Sequence, residues 1–156
     1  MLPSESAQAR RSGKGITIES KKMTQANELP IIRGLRLKPL HSGETVKVEV
    51  TICDHTKNGD LCADYLTWVG LVTKTLCDIA GGCTRVEGRG CYVSAHGETL
   101  HDGITLLTAV CPREKLVEGL SWLRHRLFQY GKECEQESVL VGINGELYLI
   151  DPSEEY

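Results

Sequence analysis

The sequence lacks several patterns that would assign its class directly. No run approaches the roughly 20 consecutive apolar residues that a membrane span needs. The basic residues near the N-terminus, Arg10, Arg11 and Lys14, are not followed by the apolar stretch of a secretory signal. No internal repeat of the solenoid type is present. These absences predict a cytoplasmic protein that does not bind membranes.

Closely spaced cysteine pairs are also missing. The chain has seven cysteines, an odd number, and no two of them are separated by only two residues. The short paired motifs of zinc and redox sites are therefore absent. Several cysteines fall at apolar positions of the predicted helices and strands, where free cysteine behaves as a small buried hydrophobe. We expect them to be mainly reduced core residues in a reducing compartment.

Aromatic residues are scarce, and net positive charge is confined to the N-terminal end of the chain. Residues 1–44 carry a net charge of +4, whereas residues 45–156 carry −7. Among the predicted strands, only Tyr92 and Tyr148 offer aromatic rings on which a base could stack. An acidic domain with a basic arm is not the charge pattern of a dedicated nucleic-acid binder. Nucleic acid is therefore the least favoured partner.

Composition divides the chain into four segments. Residues 1–29 are polar without a sustained hydrophobic period, which predicts a disordered basic arm, with Met23 as an alternative start. Residues 30–44 mix apolar and basic side chains with two prolines, and we expect an extended arm that packs on the domain. Residues 45–152 form the regular domain, and residues 153–156 form an acidic tail.

The first half of the domain predicts a strand, a helix and a hairpin. Alternation of apolar and polar residues from Thr45 to Cys53 indicates a strand with one buried face. An apolar stripe at helical spacing predicts a helix over 61–79, with Asp60 as its N-cap. The hairpin has predicted arms at 83–94 and 104–111, joined by a polar turn.

The second half predicts a helix and another hairpin. Pro112 ends the preceding strand and opens a helix over 113–135, whose leucine stripe is the strongest helical signal in the chain. Asn144-Gly145 between two apolar runs predicts a tight hairpin. The resulting order is β-α-β-β-α-β plus one C-terminal hairpin strand. We therefore predict a ferredoxin-like α+β fold, an antiparallel sheet with both helices on one face.

The other face of such a sheet needs an occupant. The predicted strand 104–111 is apolar on both sides, which is unusual for a face left in water. A half-apolar open face is a common dimer surface or shallow pocket. Homodimerisation through this face and coverage by the N-terminal arm are the two alternatives, and the sequence does not separate them.

The predicted hairpin carries the densest group of chemically active side chains. Arg85 and Arg89 are four residues apart on one arm, so an uninterrupted strand places both on one face. With His96 in the turn and the backbone N–H groups of Gly88 and Gly90, they are candidates for binding a phosphate or carboxylate. Charge pairing with Glu87 on an exposed strand face is the simpler interpretation of the two arginines.

The same hairpin offers a catalytic alternative and a metal alternative. Cys91, His96 and His101 are residue types that act as nucleophile, acid or base. Together with Cys83 they are also four zinc-type ligands, but their spacing matches no familiar zinc signature. A polar turn with solvated histidines accounts for the same residues. We therefore expect no cofactor and no metal.

Two smaller groups complete the candidates. Asp54 and Asp60 flank the loop after the first strand and are explained by turn chemistry, but His55 beside Asp54 has no such explanation. Trp68, Trp122 and Phe128 lie off the main helical stripes and are candidates for contacting a protein partner, with core or edge packing as the simpler interpretation.

These patterns favour a small non-catalytic binding module. It would hold a protein partner or a small anionic ligand on the open sheet face and the hairpin rim. The alternative is a small enzyme in which Cys91, His96 or His101 reacts and Arg85 or Arg89 holds an anionic substrate. The sequence identifies neither the ligand nor the partner.

Overall fold

The computed structural model describes residues 43–154. The predicted basic arm (1–29), nearly all of the extended arm (30–44) and the last two residues of the acidic tail lie outside the described residues. Neither described helix is both long and apolar enough to cross a membrane.

Five strands form one antiparallel sheet. They are β1 (Thr45–Cys53), β2 (Thr84–Val93), β3 (Thr99–Pro112), β4 (Val139–Ile143) and β5 (Glu146–Ile150). Their order across the sheet is β2-β3-β1-β4-β5, and each neighbouring pair is antiparallel. The central strand β1 alternates as predicted, because Val46, Val48, Val50 and Ile52 are buried while the residues between them are not.

Two helices share the buried face of the sheet. They are α1 (Tyr65–Ala80) and α2 (Arg113–Glu133). Buried side chains of both helices join those of β1 and β3 in one core that includes Val72, Leu107 and Leu127. The helices also contact each other, and the Trp68 and Tyr130 rings lie 6.2 Å apart between their centroids. The predicted α+β architecture of an antiparallel sheet with two helices is confirmed.

Several element boundaries differ from the prediction. Helix α1 begins at Tyr65 rather than 61, so Asp64 and not Asp60 occupies its N-cap position. The Asp60 carbonyl accepts a hydrogen bond from the Thr56 N–H in a tight loop. Strand β3 begins at Thr99, since Val93 pairs with Thr99 and the hairpin needs only a short turn. His101 and Asp102 therefore lie in a strand. The predicted tight turn at Asn144-Gly145 is confirmed by positive φ at both residues.

The cysteine prediction needs one correction. Cys62 and Cys134 form a disulfide, with their Cα atoms 5.4 Å apart. The loop before α1 and the C-terminal end of α2 meet at one edge of the core, which brings together two cysteines that are 72 residues apart in sequence. The other five cysteines are free, and Cys111 is fully buried as a small core residue.

Candidate functional site

Strand β1 ends in a cluster formed by Asp54, His55 and Asp102. The backbone N–H of Asp54 donates to the Gly103 carbonyl at 2.9 Å, and the Gly103 N–H donates to Asp54 Oδ1 at 2.9 Å. His55 Nδ1 is hydrogen-bonded to Asp54 Oδ1 and lies 3.8 Å from Asp102 Oδ1. One imidazole nitrogen therefore faces two carboxylates from different strands. We call these three residues the His55 cluster.

Glycine at position 103 makes room for this arrangement. A Cβ atom at Gly103 would lie only 2.2 Å from Asp54 Oδ2. Any larger residue would therefore have to displace the carboxylate that orients His55.

The loop that carries His55 is held against the C-terminal end of α2 by three contacts. The His55 carbonyl oxygen accepts a 2.7 Å hydrogen bond from Gln136 Nε2. The Lys57 N–H donates to the Glu135 carbonyl at 2.9 Å. The Cys62–Cys134 disulfide joins the same two segments. Because three links hold this loop against the end of α2, the backbone at His55 has a defined position.

Burial in and beside the cluster disfavours the charged forms of its less exposed groups. Burial raises the pKa of Asp102, Asp54 raises it further, and His55 and His101 act in the opposite direction. Burial, with Asp102 and Asp54 nearby, raises the pKa of Cys53 to about 11. The Cys53 thiol is therefore protonated at neutral pH and is not an activated nucleophile.

An open groove of about 470 Å³ lies beside the His55 cluster. Besides the cluster itself, it is lined by Tyr65, Leu66, Glu87, Gly88, Arg89, His101, Gly103 and Ile104. We call this surface the His55 groove. His55 and Asp102 also border a smaller depression of about 260 Å³ that contains Cys53 and Tyr92. The cluster is therefore accessible from two sides.

The structure brings some of the predicted site residues together and separates others. Arg89 and His101 both line the His55 groove, and Cys91 pairs directly with His101 across β2 and β3. Arg85 instead forms an ion pair with Glu87 and does not line the groove. His96 is exposed in the turn, where its N–H donates to Ser94 Oγ at 3.3 Å. The sequence grouping of Arg85, Arg89 and His96 is therefore divided.

The four-ligand zinc alternative does not fit the fold. Cys83 lies just before β2 and Cys91 lies near its other end. Eight residues of extended chain span about 26 Å. These two thiols cannot bind the same ion, so the set Cys83, Cys91, His96 and His101 is excluded as one site.

The three aromatic candidates have different surroundings. Trp68 is 4% exposed and belongs to the core, which was the simpler interpretation. Trp122 is 49% exposed on α2, where His125 stacks on it and Arg126 Cζ lies 4.7 Å from its ring centroid. Phe128 is partly buried beneath Lys132, whose Nζ lies 4.8 Å from the ring centroid. Only Trp122 and Phe128 remain candidates for a partner surface.

Sequence reasoning did not assemble the His55 cluster. Asp54 and Asp102 are 48 residues apart, and no motif links them. The available signal was His55 itself, a loop histidine after a strand for which turn chemistry gave no reason. Because Asp102 was assigned to the turn, its place beside that strand end was missed.

Comparison with known proteins shows similarity of fold alone. No protein-family model and no curated protein matches this chain. A phage SAM lyase in complex with S-methyl-5'-thioadenosine has a TM-score of 0.54 and 15% identity, over 74% of this chain and 95% of that chain. The apo phage SAM lyase has the same TM-score and identity over 77% and 98%. A Bacillus cereus protein related to NIF3 has a TM-score of 0.44 and 16% identity, over 73% and 28%.

Proposed function

We propose that this domain binds a small anionic ligand in the His55 groove. The observation that supports the proposal is the convergence of Arg89 and His101 with the His55 cluster on one open groove. Grooves that combine a few converging polar groups with a rigid scaffold are typical ligand sites. The fold is similar to that of a phage SAM lyase whose structure contains a small ligand, S-methyl-5'-thioadenosine.

The groove offers a ligand two distinct parts. Arg89, on the edge strand β2, carries a permanent positive charge and a planar set of donors for a phosphate or carboxylate. Tyr65, the first residue of α1, and Ile104 on β3 offer ring and apolar surface elsewhere along the groove. A ligand with an anionic group for Arg89 and a flat or apolar body for Tyr65 and Ile104 would therefore match these two parts of the groove.

Adenosine monophosphate and S-methyl-5'-thioadenosine form a matched pair of probes, because only the first carries a phosphate. We expect adenosine monophosphate to bind more tightly, and Arg89→Gln to weaken it by roughly ten- to a hundredfold, the loss of one charge-assisted hydrogen bond. Isothermal titration calorimetry on the full chain measures both affinities.

Arg85→Gln is the matched control for this experiment. Arg85 lies on the same strand but is paired with Glu87 and lies outside the groove lining. We expect it to leave the affinity for adenosine monophosphate within about twofold. Two results would contradict the proposed position of the anionic group. One is an equal loss of affinity for adenosine monophosphate in Arg89→Gln and Arg85→Gln, and the other is equal affinity of the unaltered chain for the two probes.

The His55 cluster also favours a second function, a small enzyme. Asp54 holds Nδ1 of His55, which leaves Nε2 as the nitrogen that can exchange a proton with a ligand. A carboxylate behind a histidine is the arrangement that orients a general base. We propose His55, rather than the predicted Cys91 or His96, as the group for such a role. Mass analysis of the two probes after titration would reveal whether the protein converts either of them to a product.

A protein partner remains a proposal that concerns the open sheet face. Ile104, Leu106 and Val110 lie on the sheet face opposite the helices and are partly buried, and Leu147 and Leu149 are strongly exposed on the edge strand β5. We propose that this face forms a homodimer contact. Sedimentation equilibrium of the full chain should then show a dimer whose fraction rises with concentration, and Leu147→Glu should shift it towards the monomer. A monomer at all concentrations would exclude this contact.

The finer features of the fold and location also remain proposals. We propose that the domain is ferredoxin-like, and the strand order β2-β3-β1-β4-β5 supports this assignment because the first four strands of that order match the predicted split βαβ arrangement.

Cytoplasmic location stays a prediction, and the Cys62–Cys134 disulfide argues against it because reducing compartments disfavour such bonds.

A further inference from the structure

Asp102 is a carboxylate with little exposure and no direct hydrogen-bond donor among the described residues. Its side chain is only 10% exposed, yet no described residue donates a hydrogen bond to it within normal distance. Its nearest ionic neighbour is His55 Nδ1 at 3.8 Å, and Asp54 Oδ1 already occupies that nitrogen. Buried carboxylates ordinarily have hydrogen-bond donors or a cation beside them.

The three members of the His55 cluster each direct one ligating atom to the same place. An imidazole nitrogen of His55 and a carboxylate oxygen from each of Asp54 and Asp102 lie within 4.8 Å of one another. Metal–ligand bonds of about 2.0–2.2 Å place ligand atoms up to about 4 Å apart, so small side-chain rotations would close the set around one ion. An imidazole with two carboxylates suits Mn²⁺, Zn²⁺ and related divalent cations.

We propose that Asp54, His55 and Asp102 form a binding site for a divalent metal cation. The site lies at the wall of the His55 groove, so coordination positions not used by the protein face the groove. This differs from the sequence-based expectation that no metal is bound.

A cation at this position resolves an imbalance of charge in the groove. Three carboxylates, those of Asp54, Glu87 and Asp102, line the groove together with one arginine and two histidines. Such a lining is acidic when the histidines are neutral and would repel an anionic ligand. A divalent cation offsets two of the negative charges and presents a positive centre. This part of the inference rests on the proposed function, whereas cation binding itself does not.

The probe for this site is Mn²⁺ alone, because manganese prefers oxygen and imidazole ligands to the thiols of the five free cysteines. Electron paramagnetic resonance of the full chain follows the loss of the free aqueous Mn²⁺ signal. We expect one saturable site per chain. Asp102→Asn and His55→Gln should each weaken binding by at least about tenfold.

Asp78→Asn is the matched control, since Asp78 is an exposed carboxylate on α1 that pairs with Lys74. It should bind Mn²⁺ as the unaltered chain does. Absence of saturable binding by the unaltered chain, equal binding by Asp102→Asn, or an equal loss in Asp78→Asn would overturn the proposal. Thermal unfolding of each variant without metal verifies that it is folded.

The two proposals fail separately. Manganese binding is measured with no nucleotide present, and the titration with adenosine monophosphate is repeated with excess chelator. If the chain binds no Mn²⁺ but binds adenosine monophosphate, only the metal site is contradicted. Retained manganese binding without nucleotide affinity contradicts only the proposed anionic ligand.

Discussion

Replacing Cys62 and Cys134 together by alanine is expected to lower the free energy of unfolding by about 4 kcal/mol. The disulfide joins residues 72 positions apart, and closing a loop of that length in the unfolded chain removes much of its conformational entropy. A domain of this size has a total stability of about 5–15 kcal/mol. Urea unfolding of the two proteins, followed by circular dichroism, measures the difference.

The reductant dithiothreitol supplies an independent control for the disulfide. It should destabilise the unaltered protein by a similar amount and leave the double-alanine variant unchanged. Under denaturing conditions without reductant, an alkylating agent should modify five cysteines, the number that is free, and all seven after reduction. Modification of all seven without reductant would show that the bond does not form.

The disulfide also affects the site. Cys134 lies two residues before Gln136, whose side chain holds the His55 carbonyl, and Cys62 donates its N–H to the Asp54 carbonyl at 2.7 Å. Breaking the bond loosens both supports of the His55 cluster. We therefore expect reduction to weaken metal or ligand binding at this cluster as well as lowering stability.

Gly103→Ala is expected to destabilise the domain by about 2–4 kcal/mol, a large effect for one methyl group. The added Cβ would lie 2.2 Å from Asp54 Oδ2, so the carboxylate must move and its hydrogen bond from the residue 103 N–H is lost. Displacing Asp54 also removes the partner that orients His55. Chemical unfolding should show the lost stability, and Mn²⁺ titration should show weaker binding.

Gly88→Ala is the matched control on the neighbouring strand. A Cβ at Gly88 would meet Ile104 at 3.7 Å, an ordinary van der Waals distance, so we expect the free energy of unfolding to change by no more than about 1 kcal/mol.

The double variant Asp54→Ala/Gly103→Ala tests the mechanism, because without the carboxylate the added methyl group has no group to displace. If Gly103→Ala is as costly in the Asp54→Ala background as in the unaltered chain, the proposed clash is wrong.

Much of the architecture could be predicted because it depends on local patterns. The alternation along β1, the leucine stripe of α2 and the Asn144-Gly145 turn each encode an element within a few residues. The boundaries of α1 and β3 were less accurate. They depend on how the loop after β1 folds and on where β2 and β3 stop pairing.

The sequence by itself determined the elements and their order, because hydrophobic periodicity and turn chemistry act over short distances. Only the tertiary structure decided which polar residues share a site. It placed Asp102 against His55, separated Cys83 from Cys91 and joined Cys62 to Cys134. These contacts join residues that are far apart in sequence, and no local pattern of side chains encodes which of them meet.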